Sequence, residues 1–189
     1  MSQSKLLKCV VELLEANQIE YMVTGSVVSS SQGQPRATHD IDLVVNITPN
    51  AAMVIVKAFP PPDYYLDEFA VREAIARRDM FNLLDNTSGD KVDFWILQNH
   101  SFDIERFRRR VAWELAGVRA YASRPEDTIL QKLRWADMCG GSEKQFSDAK
   151  AVYELQYGVL EMPYIEEWAN RLNVLPLFNR LKLEAKPIL

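Results

Sequence analysis

The stretch "HDIDLVVN", residues 39–46, sets two aspartates two residues apart at the head of an apolar run; alone, such a pair is more often turn chemistry or a surface face, but the run behind it reads as a strand. In a strand, residues two apart share a face. Asp40 and Asp42 therefore point one way, while Ile41, Leu43 and Val45 point to the other side. A second segment, "KVDFWIL", repeats the arrangement, with Asp93 on one face and Val92, Phe94 and Ile96 on the opposite one. Pairing the two strands would gather three carboxylates on one side of a sheet whose other side is core. If the extension runs back to Arg36, then Arg36 and Thr38 join the acid face. Unneutralised, such carboxylates repel one another and are pushed toward protonation. A divalent cation relieves the repulsion, and oxygen donors of this kind suit Mg²⁺ or Mn²⁺.

The remaining patterns supply the scaffold. Leu6, Leu7, Val10, Val11 and Leu14 recur at helical spacing, which predicts an amphipathic helix over about residues 3–17. "IEYMVTGS" reads as a strand running into a tight Gly-Ser turn, and "SSSQGQPR" as a loop. Thr48 as N-cap and Pro49 at the first helical position open a helix, and a short helix is predicted over about 67–78. "MFNLLDNTSGDKVDFWIL" reads as an antiparallel hairpin, and "VAWELAGVRAYAS" as a smaller one around Ala116-Gly117. From Ser123 the texture turns helical. Ser123 and Glu126 have capping-box spacing, Pro125 is tolerated in a first turn, and Gly140-Gly141 end that helix. Two more helices follow in "SEKQFSDAKAVYELQY" and "PYIEEWANRLN". The expected class is α+β: a mixed β-sheet flanked by helices over 1–122, then a C-terminal helical region over 123–189 packing on that core.

Composition narrows the function classes. At 189 residues the chain can bury a substantial core. A net charge of −4 argues against a broad nucleic-acid surface but leaves room for a local basic groove. Cys9 and Cys139 lie in apolar helical patterns without metal or redox spacing, so two buried reduced thiols are expected. The first residues do not read as a signal peptide, because Lys8, Glu12 and Glu15 interrupt the apolar positions. No apolar run approaches the ~18 residues of a membrane span. A cytoplasmic protein with no membrane partner is the expectation.

One further motif bears on chemistry. Gly25 and Ser26 follow a strand, and thirteen residues, 27–39, separate Ser26 from Asp40. A Gly-Ser turn there can offer backbone N–H groups and a hydroxyl to a phosphate. Beside a metal-binding acid cluster, this is the equipment for phosphoryl or nucleotidyl transfer. Gly25-Ser26, then Asp40-Ile41-Asp42, then the later strand acid Asp93 resemble the DNA polymerase β-type nucleotidyltransferase superfamily. Within it, "PRATHDIDLVV" and "SRPEDTILQKLRW" resemble the small bacterial nucleotidyltransferases related to AbiEii-type toxins of toxin–antitoxin and abortive-infection systems.

The resemblance implies the minimal nucleotidyltransferase sheet, a helical bundle closing over the nucleotide, two metal ions and a nucleoside triphosphate (NTP) substrate. It implies that Asp40 and Asp42 hold both metals, and that Asp93 completes the nucleophile's side and helps deprotonate the attacking hydroxyl. Gly25 and Ser26 would grip the β- and γ-phosphates. Many such enzymes carry an Arg shortly after the Gly-Ser pair, where this chain has "VVSSSQG", and Arg36 is the candidate to replace its charge. Lys132 is either a triphosphate ligand or a solvated lysine beside Arg134. Asp148 either matches an acid of related helices, orienting a basic residue, or lies on a solvated face. His39 should point away from the acids and play a structural part, and His100 has no evident partner. "ERFRRR", residues 105–110, is either a solvated helix face or a guide for an acidic acceptor such as tRNA. Trp135, Tyr153, Tyr157, Tyr164 and Trp168 read as bundle core.

The leading expectation is a metal-dependent enzyme moving a nucleoside monophosphate (NMP) onto an acceptor hydroxyl of RNA, protein or a small molecule, with a cognate antitoxin or toxin as candidate partner. The alternative is a non-catalytic, antitoxin-like or regulatory binding module, which the absent downstream Arg supports. A nucleotide-sugar glycosyltransferase using Asp40-Ile41-Asp42 is disfavoured, because too little chain precedes the motif for a nucleotide-binding half.

Overall fold

The computed structural model describes residues 2–38 and 40–188. His39 lies outside them. Two compact units emerge: one runs from the N-terminus to Val27 and takes in Ala37–Ala122, and the other takes in Val28–Arg36 and the chain from Ser123 onward.

In the first unit, α1 (Gln3–Ala16) buries Leu6, Leu7, Val10, Val11 and Leu14, the apolar stripe read from the sequence. The strands are β1 (Glu20–Thr24), β2 (Asp40–Asn46), β3 (Tyr64–Tyr65), β4 (Met80–Asp85), β5 (Lys91–Ile96), β6 (Val111–Leu115) and β7 (Val118–Ala122). Among the described residues they form one seven-stranded sheet in the order β3-β4-β5-β2-β1-β7-β6. Most neighbours are antiparallel, but β2 pairs with β5, and β1 with β7, in parallel. The sheet is mixed and carries α3 (Pro49–Ala58), α4 (Glu68–Arg77) and α5 (Ser101–Arg108). Thr48 caps α3 by accepting the Ala51 N–H, with Pro49 in the first turn as expected. The hairpin turn at Ala116-Gly117 has positive φ at both residues (49° and 78°), the geometry that two-residue hairpins favour.

The sheet's two faces differ, and the difference positions the acids. One face is core: Ile41, Leu43 and Val45 of β2 and Val92 and Phe94 of β5 are fully buried. Phe81 and Phe94, register partners, stack with ring centroids 4.8 Å apart. Each such side chain contributes about 1.5–3 kcal/mol by leaving water. A one-residue slip of β2 would turn all three of its core residues outward, so burial fixes the register. On the opposite face Met22, Val44 and Phe107 form a cluster against Trp95 and Leu97. Asp42 and Asp40 follow Val44 on that face, toward the start of β2.

Three local readings are corrected. Gly25 does not open a free turn. It starts a helix, α2 (Gly25–Gln32), so much of the expected Ser-rich loop is helical. The strand β2 begins at Asp40 and does not extend back to Arg36 or Thr38. The capping box at Ser123 is absent: the N-cap of α6 (Pro125–Met138) is Arg124, without a side-chain cap. Ser123 instead shares a 2.8 Å hydrogen bond with Thr128, and Glu126 accepts the Glu161 N–H.

The second unit is built from α6, α7 (Glu143–Gln156), α8 (Met162–Arg171) and α9 (Leu175–Glu184), the last not foreseen. The 28–36 segment is packed on α7, where a Cβ on Gly33 would approach the Val152 nitrogen to 2.8 Å. Gln32, fully buried, donates from its side-chain amide to the Ser123 carbonyl, and its main-chain carbonyl accepts from Gln156 Nε2. Of the aromatics expected in the core, Tyr153 and Trp168 are buried, Trp135 and Tyr164 are half-buried, and Tyr157 is exposed. Cys9 is half-buried and Cys139 exposed, so the second thiol is not a core residue.

Candidate active site

The parallel pairing of β2 with β5 sets Asp42 directly opposite Asp93, and Asp40 opposite Lys91. All four side chains occupy the same face, because each strand alternates. The antiparallel neighbours add Thr24 opposite Asp42 and Asn82 opposite Asp93. The three acids expected at the centre of the site are thus together in the first unit.

Their environments differ. Asp40 is exposed, Asp42 half-buried and Asp93 buried. Asp42 Oδ1 accepts from Trp95 Nε1 at 3.3 Å. Lys91 Nζ lies 2.9 Å from Asp93 Oδ2 and 3.6 Å from Asp40 Oδ1. The hydrogen bond to Asp93 holds the Lys91 ammonium above its usual pKa, against the opposing pull of burial. The other carboxylate oxygen, Asp93 Oδ1, is buried and has no hydrogen-bond partner among the described residues. A buried acceptor left unmatched costs about 1–3 kcal/mol. Sequence reasoning passed over Lys91, although a Lys two residues before a strand Asp must share its face.

Gly25 meets this group directly. Its φ is +70°, and a Cβ added there would stand 1.9 Å from Asp42 Oδ2. Only glycine fits, both for its backbone conformation and for the closeness of the carboxylate. Ser26, half-buried, follows in the first turn of α2, whose N–H groups favour negative charge.

The basic residues Arg36 and Lys132 belong to the second unit, and both are held by Asp148. Arg36 donates from Nε (3.2 Å) and Nη2 (3.0 Å), and Lys132 Nζ donates at 2.8 Å. Burial raises the Asp148 pKa, but the hydrogen bonds from Arg36 and Lys132 outweigh it and hold the carboxyl below its usual range. Arg36 and Asp148 line a crevice of about 130 Å³ together with Ser29, Gln34, Pro35 and Ser147.

The "ERFRRR" run is mostly committed inside the protein. Arg106 is buried on Asp103 at 3.0 Å, and Arg110 reaches Glu20 at 2.9 Å while lying over the Phe107 ring. Arg108 is exposed beside Glu105. His100 is the N-cap of α5 and forms no side-chain cap.

Solved structures share this arrangement of sheet and helices. The antibiotic-resistance factor ANT(2'')-Ia, in complex with adenylyl-2''-tobramycin, aligns with a TM-score of 0.60 at 12% identity, over 92% of this chain and 98% of that one. The lincosamide antibiotic adenylyltransferase LnuA, with lincomycin bound, gives 0.56 at 12% identity over 82% and 98%. An antigenic nucleotidyltransferase-like protein from Paracoccidioides brasiliensis gives 0.56 at 17% over 98% and 96%. The chain has the nucleotidyltransferase fold. No family profile matches the sequence, and no curated protein is detectably similar to it. The fold alone is therefore shared. In this nucleotidyltransferase fold, Asp42 and Asp93 face each other across the parallel pair β2–β5.

Among the described residues, no three acid, histidine or cysteine side chains already converge as a metal cage. The donor set nonetheless fits a hard divalent ion: carboxylates only, one oxygen of Asp93 buried and unmatched, and a cation already drawn between Asp93 and Asp40. Among the described residues, no helix is long and apolar enough to cross a membrane.

Proposed function

We propose that this chain is a nucleotidyltransferase that moves an NMP from an NTP onto an acceptor hydroxyl. The observation that carries the reading is the register Asp42↔Asp93, with Asp40 on the same face and Gly25 pressed against the Asp42 carboxylate. Asp40, Asp42 and Asp93 would hold Mg²⁺ or Mn²⁺, and the bound ion would neutralise phosphate oxygens. Gly25 and Ser26 would seat the β- and γ-phosphates through the first N–H groups of α2. The acceptor oxygen forms a new bond to the α-phosphorus, pyrophosphate leaves with the old one, and Asp93 helps take the hydroxyl proton. Such catalysis consists of positioning and charge compensation.

Arg36 and Lys132 are proposed to meet the triphosphate as its basic contacts. A small-molecule acceptor has the support of the shared fold, since ANT(2'')-Ia is bound to an adenylylated tobramycin and LnuA to lincomycin. RNA such as tRNA and protein are the other acceptors proposed. The motifs "PRATHDIDLVV" and "SRPEDTILQKLRW" extend the proposal to a cytoplasmic AbiEii-like enzyme acting within a toxin–antitoxin or abortive-infection system with a cognate protein partner. The second reading, a non-catalytic binding module, is favoured by the engagement of both Arg36 and Lys132 with Asp148.

Calorimetric titration of ATP, GTP, CTP and UTP, with and without Mg²⁺, on wild type and Asp42→Asn decides between them. Metal-dependent binding that the substitution abolishes supports the transferase. Absence of nucleotide binding supports the module.

A further inference from the structure

We propose that Lys91 is the resident counter-ion of the acid site and that a divalent cation binds only by displacing it. The inference rests on the reading of Asp40, Asp42 and Asp93 as metal ligands. Lys91 begins β5 two residues before Asp93, and strand alternation places its side chain on the acid face whatever its rotamer. Its ammonium touches two of the three acids, Asp93 at 2.9 Å and Asp40 at 3.6 Å. Asp93 is buried, so its charge needs a partner when no metal is bound, and Lys91 provides one.

An ammonium and a divalent ion cannot both contact the same Asp93 oxygen without strong repulsion. Lys91 is itself about one-third exposed, on a flexible stem, and can swing into solvent without unfolding the strand. The arrangement offsets the charge of buried Asp93 in the metal-free protein and lowers its apparent affinity for the ion, as any competing internal state does. A third contributor would make the exchange more favourable still, and the negative charge of an arriving nucleotide is suited to that.

The test compares wild type, Lys91→Met and Asp42→Asn for binding of Mn²⁺ alone, by calorimetry and by electron paramagnetic resonance of the free ion. Lys91→Met is expected to bind Mn²⁺ roughly tenfold more tightly than wild type. Asp42→Asn should bind less tightly than wild type. A second measurement needs no variant: site-resolved acetylation of Lys91 in the wild-type protein, read by mass spectrometry. Lys91 should label slowly without metal and several-fold faster with saturating Mg²⁺. Binding of Mn²⁺ with equal affinity by wild type and Lys91→Met, together with an unchanged Lys91 labelling rate, would overturn the counter-ion proposal while leaving the metal site standing. Failure of wild type and Lys91→Met alike to bind Mn²⁺ would overturn the metal reading itself, and the proposal with it.

Discussion

Gly25 and Asp42 are packed so closely that no side chain fits between them: a Cβ on Gly25 would reach 1.9 Å from the Asp42 carboxylate. Gly25→Ala must both occupy a positive φ and push Asp42 off its position. The expected result is a loss of about 1–3 kcal/mol of stability and at least a tenfold loss of Mg²⁺-dependent nucleotide affinity. Urea denaturation and calorimetry read the two effects separately. An alanine variant that binds nucleotide as wild type does would remove Gly25 from the site.

Asp148 is the second position with a large expected effect. Asp148→Asn removes the carboxylate that Arg36 and the buried Lys132 share, at a cost of about 3 kcal/mol near neutral pH. The pH dependence follows from the lowered pKa. An unfolded Asp titrates at about 3.9, and below that pH the unfolded chain takes a proton that folded Asp148 still refuses. The stability Asp148 contributes is thus full above the unfolded pKa and is lost as pH falls through the lower folded one. Denaturant melts from pH 6 to pH 2 should show a flatter acid limb in Asp148→Asn than in wild type.

How much of this was legible beforehand divides along physical lines. The strands carrying Asp40, Asp42 and Asp93 were legible, because a half-buried strand writes its period of two into the sequence. So was the hairpin that brings β5 beside its neighbours. The helix at Gly25 was hidden by its composition: "GSVVSSSQ" has serines that favour turns, and its helical state rests on burial of Val28, Ser29 and Gln32. The capping box failed because Ser123 shares its hydroxyl with Thr128, five residues on, and Glu126 accepts from the Glu161 N–H, 35 residues away. The second of these partners could not be known from local spacing. The commitment of Arg36 and Lys132 to Asp148 joins residues up to 112 positions apart, beyond the reach of any local pattern.

Arg106 and Arg108 should behave oppositely despite standing two residues apart. Arg106→Ala removes the cation paired with the buried Asp103 carboxylate and should cost about 3 kcal/mol. Arg108→Ala, on an exposed side chain, should stay within about 0.5 kcal/mol. Chemical denaturation of the two variants checks this. Equal costs would mean that the run is used differently from the contacts described.

Trp95 offers an optical report on the site, since its indole N–H donates to Asp42. Titration with Mg²⁺ and nucleotide should change the intrinsic fluorescence of the wild type. In Trp95→Phe that change should largely vanish, while calorimetric nucleotide binding weakens by less than about tenfold, the worth of one modest hydrogen bond. A full fluorescence response in Trp95→Phe would place the perturbed tryptophan elsewhere.

The ladder from Asp40↔Lys91 to Val45↔Ile96 also limits how a lineage of such chains can diverge. One residue gained or lost inside β2 or β5 would send an acid into the core and an aliphatic side chain out of it. The 86–90 turn before β5 bears no such restriction, because length added there leaves the ladder in phase. Variation among such chains should accordingly proceed through turn lengths and substitutions outside these two strands, with the spacing from residue 40 to 42 and from 91 to 93 carried along unchanged.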